Sequence, residues 1–273
     1  MASLGQIIFY SMIALIILFS AIIILILALT FSNSLPGLMS SNTLPIANLG
    51  DDEFLSCYLP TSSEQGSIGQ VSVTWTKTGL SGLVYQYENG APDIGEQNSQ
   101  FKGRAELFPD AVAVGNASLL LRDVRGSDAG EYTCSISSSA GGGKLNIQLR
   151  TAAFSAPMFK FSNGSLSAEA SRWFPKPNVT WSNYNGTVLQ GSTNFNQNSA
   201  GIFSVVSMLQ SVNVSDAYTC RIENNLVAAI SKATITGSEV LGKTYFIYST
   251  ASSLLASAYL SIITSVVCIY YLS

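Results

Sequence analysis

Polar and apolar residues alternate through most of the middle of the chain, while both ends are continuous apolar runs. Val71-Ser-Val-Thr-Trp75 puts Val71, Val73 and Trp75 on one face with period two, which predicts a half-buried strand. Leu83 to Tyr87 reads as another strand, closed by the turn pair Asn89-Gly90. Gly50 to Cys57, Arg104 to Phe108, Ala117 to Leu121, Glu131 to Ser137 and Lys144 to Arg150 complete a first set of short strands. Gly141-Gly-Gly143 supplies a hairpin turn in which glycine tolerates positive φ. Beyond residue 151 the pattern starts again, with Asn178-Val-Thr-Trp181 and Asp216 to Cys220 echoing 71–75 and 128–134. Many short strands separated by turn residues predict an all-β chain of two tandem sandwiches.

Fixed residues sharpen that expectation. Asp128-Ala-Gly-Glu-Tyr-Thr-Cys134, preceded by Cys57 and Trp75, is the frame of an immunoglobulin sandwich. Two cysteines join the sheets, a tryptophan packs on them, and a tyrosine two residues before the second cysteine ties a corner to upstream backbone. Tyr132 stands at that corner. The 77 positions from Cys57 to Cys134 leave room for two extra strands, so 36–150 is expected to be a variable-type domain. In variable-type domains an arginine opening the fourth strand commonly pairs with the aspartate of the motif, so Arg104 and Asp128 are expected to form a structural ion pair with no role in recognition. In the second unit, 151–236, Trp181 and Cys220 are only 39 positions apart, the spacing of a constant-type domain, with Tyr218 at the corner. Its other cysteine should fall near Ser167-Ala168-Glu169, and none is there. Cys220 is therefore unpaired within its domain: either a buried thiol beside Trp181 or half of an intermolecular disulfide. Val179, Trp181, Phe203, Val205, Leu209 and Ile222 are the expected compensating core.

Charge maps the rest. Every Asp, Glu, Lys and Arg lies between Asp51 and Lys243, and the net charge of −3 with no basic cluster gives no footprint for nucleic acid. Residues 1–35, with the uncharged run Ile7 to Phe31, read as a signal peptide or an uncleaved signal anchor. Residues 237–248 are expected to be a stalk. Residues 249–273 read as a membrane-anchoring segment, either a transmembrane helix or a glycolipid-anchor signal, with small residues ahead of the apolar run. Five Asn-x-Ser/Thr triplets, at Asn116, Asn163, Asn178, Asn185 and Asn213, agree with an extracellular middle. The chain has no histidine, so the commonest general base and metal ligand are missing. Asp51, Asp52 and Glu53 read as a solvated turn, and Gly141 to Lys144 lacks the frame of a phosphate loop. No enzymatic chemistry, metal or cofactor is expected.

What remains for recognition is the outward face of one sheet of the first domain. The candidates are Thr74 and Thr76, Tyr85 and Tyr87, Ser135 and Ser137, Lys144 and Asn146, since tyrosines among small polar residues suit an adaptable interface. Met-Ala-Ser-Leu-Gly-Gln-Ile-Ile-Phe at 1–9, Phe101 to Arg104, Val114 to Leu119, Asp128 to Cys134 and Arg172-Trp-Phe-Pro175 resemble the B-seven family of co-signalling ligands, relatives of the butyrophilins. The resemblance implies a membrane-anchored cell-surface ligand whose variable-type domain meets a T-cell receptor, of identity left open, and restrains proliferation and cytokine release. It also implies that Ala168 stands where the family's constant-type domain has its first cysteine. A homophilic adhesion protein is the alternative; an apolar C-terminal run without a charged residue argues against an adaptor-coupled receptor.

Overall fold

The computed structural model describes residues 4–32, 37–60, 70–139 and 141–249. The C-terminal segment expected to anchor the chain lies outside these residues, apart from Ser249. An apolar helix, α1 (Leu4–Ser32), comes first; it carries no charge, and its side chains from Phe9 to Ile24 are exposed. Nothing among the described residues establishes a membrane span. The rest is strand, apart from the short α2 (Pro109–Val112) and one turn of 3-10 helix at Gly126–Asp128.

The first sandwich holds β1 (Ile46–Asn48), β2 (Glu53–Leu55), β3 (Val71–Lys77), β4 (Tyr85–Glu88), β5 (Ala91–Asp93), β6 (Ala105–Glu106), β7 (Leu119–Leu121), β8 (Gly130–Ser138) and β9 (Gly141–Ala152). Six of these pair in the order β1-β9-β8-β3-β4-β5, and β2-β7-β6 form the opposing sheet. The strand expected over 50–57 is only three residues long, and Phe54 on it points to solvent. Between the sheets Trp75, Tyr132, Leu55, Leu119, Leu121, Ile147 and Leu149 are fully buried around the Cys57–Cys134 disulfide. The indole N–H of Trp75 donates to the Ala117 carbonyl at 3.0 Å, and the Tyr132 hydroxyl donates to the Asp128 carbonyl at 2.8 Å. Arg104 and Asp128 form the buried ion pair of this domain; Arg104 Nη1 donates to Asp128 Oδ1 at 3.3 Å, and its other donors reach the carbonyls of Gln100, Arg122 and Asp123. Those bonds satisfy the guanidinium away from water, which a buried charge requires.

The second sandwich holds β10 (Met158–Ser162), β11 (Ser165–Trp173), β12 (Asn178–Asn183), β13 (Val188–Leu189), β14 (Ser192–Gln197), β15 (Phe203–Leu209), β16 (Ala217–Glu223), β17 (Val227–Thr236) and β18 (Glu239–Tyr248). Its sheets run β10-β11-β15-β14 and β13-β12-β16-β17-β18. Trp181, Val205, Leu209 and Ile222 are buried, Val179 and Phe203 partly so, and Trp173 joins them fully buried. The Tyr218 hydroxyl accepts the Asn213 N–H at 2.9 Å. Cys220 is a free thiol, fully buried beside Trp181, and burial pushes its pKa up to about 12. A thiol so placed presents nothing to another chain, so the intermolecular reading fails on geometry. The span expected as a stalk, 237–248, is instead an edge strand: β18 pairs with β17 at ten successive positions. Its inward residues Val240 and Phe246 pack on the second core, which is why it folds back instead of extending into solvent.

Candidate functional site

The outward face of the six-stranded sheet is set by register. Directly opposed residues of an antiparallel pair point to the same side. Gln86 lies opposite Thr74, Thr74 opposite Ser135, and Ser135 opposite Lys144, so one row of short polar side chains ends in a single cation. The next row joins Thr76, Thr133 and Asn146. Thr133 Oγ1 donates to Asn146 Oδ1 at 3.0 Å, and Asn146 Nδ2 donates to Glu131 Oε1 at 3.0 Å, so these side chains are held rather than free. Toward the hairpin tip, Ser72 opposes Ser137. A shallow hollow of about 300 Å³ opens there, lined by Ser72, Thr74, Ser135, Ser137, Gly143 and Lys144. Beside the hollow the strand demands glycine at 142, where a Cβ would run into the Ile136 carbonyl oxygen and come within 3.1 Å of the Ser137 Cα. Among the described residues no carboxylate pairs with Lys144.

Thr74, Thr76, Ser135, Ser137, Lys144 and Asn146 thus share one face, as outward or half-buried positions. Tyr85 and Tyr87 do not. Both are 6 % exposed and belong to the core, because Tyr85 opposes Trp75 and Tyr87 opposes Val73, both inward residues. Burial raises the Tyr85 hydroxyl pKa. Gln86 and Glu88 take their place on the face, joined by a 3.0 Å hydrogen bond from Gln86 Nε2 to Glu88 Oε2. Sequence reasoning missed them, along with Thr133 and Ser72. Alternation from Trp75 alone identifies Ser72, and alternation from Tyr132 identifies Thr133. The five asparagines of the Asn-x-Ser/Thr triplets are all exposed. Asn116 bridges Tyr58 just ahead of β7, a strand of the opposing sheet, and the other four lie in the second domain, so none stands on the face just described. No cluster of residues able to hold a metal ion occurs among the described residues.

Comparison with known proteins places the two units. Residues 41–152 match the immunoglobulin V-set domain, and residues 159–231 match the immunoglobulin C domain of the butyrophilin subfamily 3 member A2-like type. V-set domain-containing T-cell activation inhibitor 1 of Homo sapiens is 35 % identical over 278 residues, covering 96 % of this chain and 95 % of its own. The Mus musculus protein of that name is 39 % identical over 253 residues, covering 88 % and 87 %. Among solved structures, the IgV-like domain of human B7-H4 is 35 % identical and covers 42 % of this chain and 96 % of its own, with a TM-score of 0.37.

Proposed function

From a chain that belongs to the V-set domain-containing T-cell activation inhibitors, within the B7-like family, we infer a co-inhibitory surface ligand of T cells. The observation that carries the reading is the relationship itself, at 35–39 % identity across both domains and nearly the full length. The first domain engages the receptor through the sheet face of Thr74, Ser135, Ser137, Lys144 and Asn146, and signalling lowers activation, proliferation and cytokine release. Support for that face comes from its short polar side chains, with Asn146 held between Thr133 and Glu131, from its unpaired cation, and from the glycan acceptors lying elsewhere. Glycans at the five exposed asparagines, cleavage or retention of 1–35, and anchoring through 249–273 complete the reading of a plasma-membrane protein displayed outward.

The test uses beads bearing an activating antibody, with or without the glycosylated ectodomain, scored by T-cell proliferation. Suppression is expected, and Lys144→Glu should lower receptor binding at least tenfold with unchanged thermal stability, since Lys144 supports no core contact. Undiminished proliferation, with beads clumping through the ectodomain, would replace the reading with homophilic adhesion.

A further inference from the structure

The three-stranded sheet of the first domain carries an apolar strip on its outward side. One register runs along it: Phe54 lies opposite Leu120, and Tyr58 opposite Asn116. Directly opposed residues share a side, and with period two Phe54, Tyr58, Asn116 and Leu120 all lie on the outer one. Phe54 is 55 % exposed and Phe108 41 %, their ring centroids 6.2 Å apart, with Leu120 buried beside Phe54. Met39, 48 % exposed, flanks Tyr58 from the other edge. Arg122, ion-paired with Asp52 and Glu106 at 3.5 and 2.8 Å, closes the strip beyond Leu120. Exposed aromatic rings gathered in this way call for an occupant.

Asn116 stands in the strip itself. The Leu59 N–H donates to the Gly115 carbonyl and the Ala117 N–H to the Cys57 carbonyl, each at 2.9 Å. Tyr58 and Asn116 are therefore a non-hydrogen-bonded pair, the kind whose side chains approach most closely. Asn116 Oδ1 accepts from the Ser118 N–H at 3.1 Å and from its hydroxyl at 2.6 Å. Those bonds fix the amide, and its Nδ2 has no partner among the described residues. Resting on the reading of Asn116 as a glycan acceptor, we propose that the Asn116 glycan lies along this strip and covers it. Its first sugar packs against the Tyr58 ring, and later sugars reach Phe54 and Phe108. In forming the link, Nδ2 displaces the pyrophosphate of an activated oligosaccharide and gives up one proton, leaving an N-glycosidic bond. Axial C–H groups give a pyranose one apolar face, which packs on the negative face of an aromatic ring while the hydroxyls stay in water. Four residues, about 14 Å, separate Tyr58 from Phe54, a reach for several linked sugars. A protein laid on the strip would collide with whatever Asn116 carries, whereas a glycan rooted there does not. One side of the first domain is thereby sealed, and the opposite sheet face is left open to the receptor.

The test uses the full chain made in glycosylating cells, with mass spectrometry of the Asn116 peptide and the melting temperature of the first domain. Asn116→Gln removes the acceptor and keeps an amide. It should lower that temperature by roughly 4 °C and raise the binding of an apolar fluorescent dye about threefold. In a Tyr58→Ser chain the same removal should cost at most about 1 °C, and in a Phe54→Ser chain about half the wild-type loss. Phe54 is exposed, so its variant still reads the coupling if Tyr58→Ser does not fold. An occupied Asn116 whose removal costs the same in every background, or costs nothing, overturns the covered strip alone. A wild-type chain that dimerises through the strip and is released by Phe54→Ser gives that surface to a second copy, which overturns it as well. An unoccupied Asn116 overturns the acceptor reading and the covered strip together.

Discussion

Ala168→Cys should give the second domain the covalent tie that it lacks. The two domains are built alike around this point: Trp75 lies directly opposite Cys134, and Trp181 directly opposite Cys220. Ala168 on β11 is fully buried and lies opposite Ser207, whose hydroxyl accepts the Trp181 indole N–H at 2.8 Å. Position 168 therefore faces the same tryptophan that flanks the free thiol. A bond from 168 to 220 closes a loop of about 52 residues, which lowers the entropy of the unfolded chain by about 4 kcal/mol at room temperature. Fitting a sulfur into a filled site opposes this by about 1–3 kcal/mol. The net of roughly 1–3 kcal/mol should raise the melting temperature of that domain by about 5–20 °C. Calorimetry of the ectodomain reads the shift, and a thiol reagent counts cysteines. In the wild type, one thiol should react only after unfolding, because burial holds Cys220 protonated; the variant should yield none. Two reactive thiols in the unfolded variant, with a lower melting temperature, would refute the placement of 168 against 220.

Asp128→Ala should cost the first domain about 3–5 kcal/mol, because it strands the buried Arg104 guanidinium; chemical denaturation measures it. Gly191→Ala should cost about 1–3 kcal/mol by thermal melting, since its Cβ would meet Trp181 Cδ1 at 2.6 Å and the Met208 carbonyl at 3.1 Å. Burial raises the Glu53 carboxyl above its ordinary 4.5, so its charged form weakens the fold above the raised pKa and the penalty fades as pH falls toward 4.5. Glu53→Gln should accordingly melt higher than wild type at pH 7, with the gap closing by about pH 4.5 in paired melting curves.

The frame of the first domain was legible because its chemistry is covalent and aromatic. A disulfide, an indole and a tyrosine corner each demand one residue type at one position, and such demands survive as sequence. The direction of Tyr85 and Tyr87 was not legible. Which face a strand shows depends on parity through the turn from Lys77 to Val84, and a change of one residue there inverts every side chain. The exposure of Lys144 and Asn146 came through because the β8–β9 hairpin has glycine at its tip and fixes its own register. β18 was hidden for a different reason. Its inward positions include Gly242 and Thr244, which carry little apolar signal, and the reason for Gly242 lies in Phe159, eighty-three positions earlier. The absence of a cysteine near 168 was plain in the sequence; the neighbours that fill the space were not.

The side chains on the proposed recognition face are mostly short hydroxyls, and the run Thr133–Asn146–Glu131 is already held by its own hydrogen bonds. Such a surface has little rotational freedom to surrender on contact, so the entropic toll of docking is small. It also offers few deep anchors, which favours rapid release. Inhibition between two apposed cells would then be governed by how densely the ligand is displayed, since many brief contacts rebinding within the gap can hold where one alone cannot.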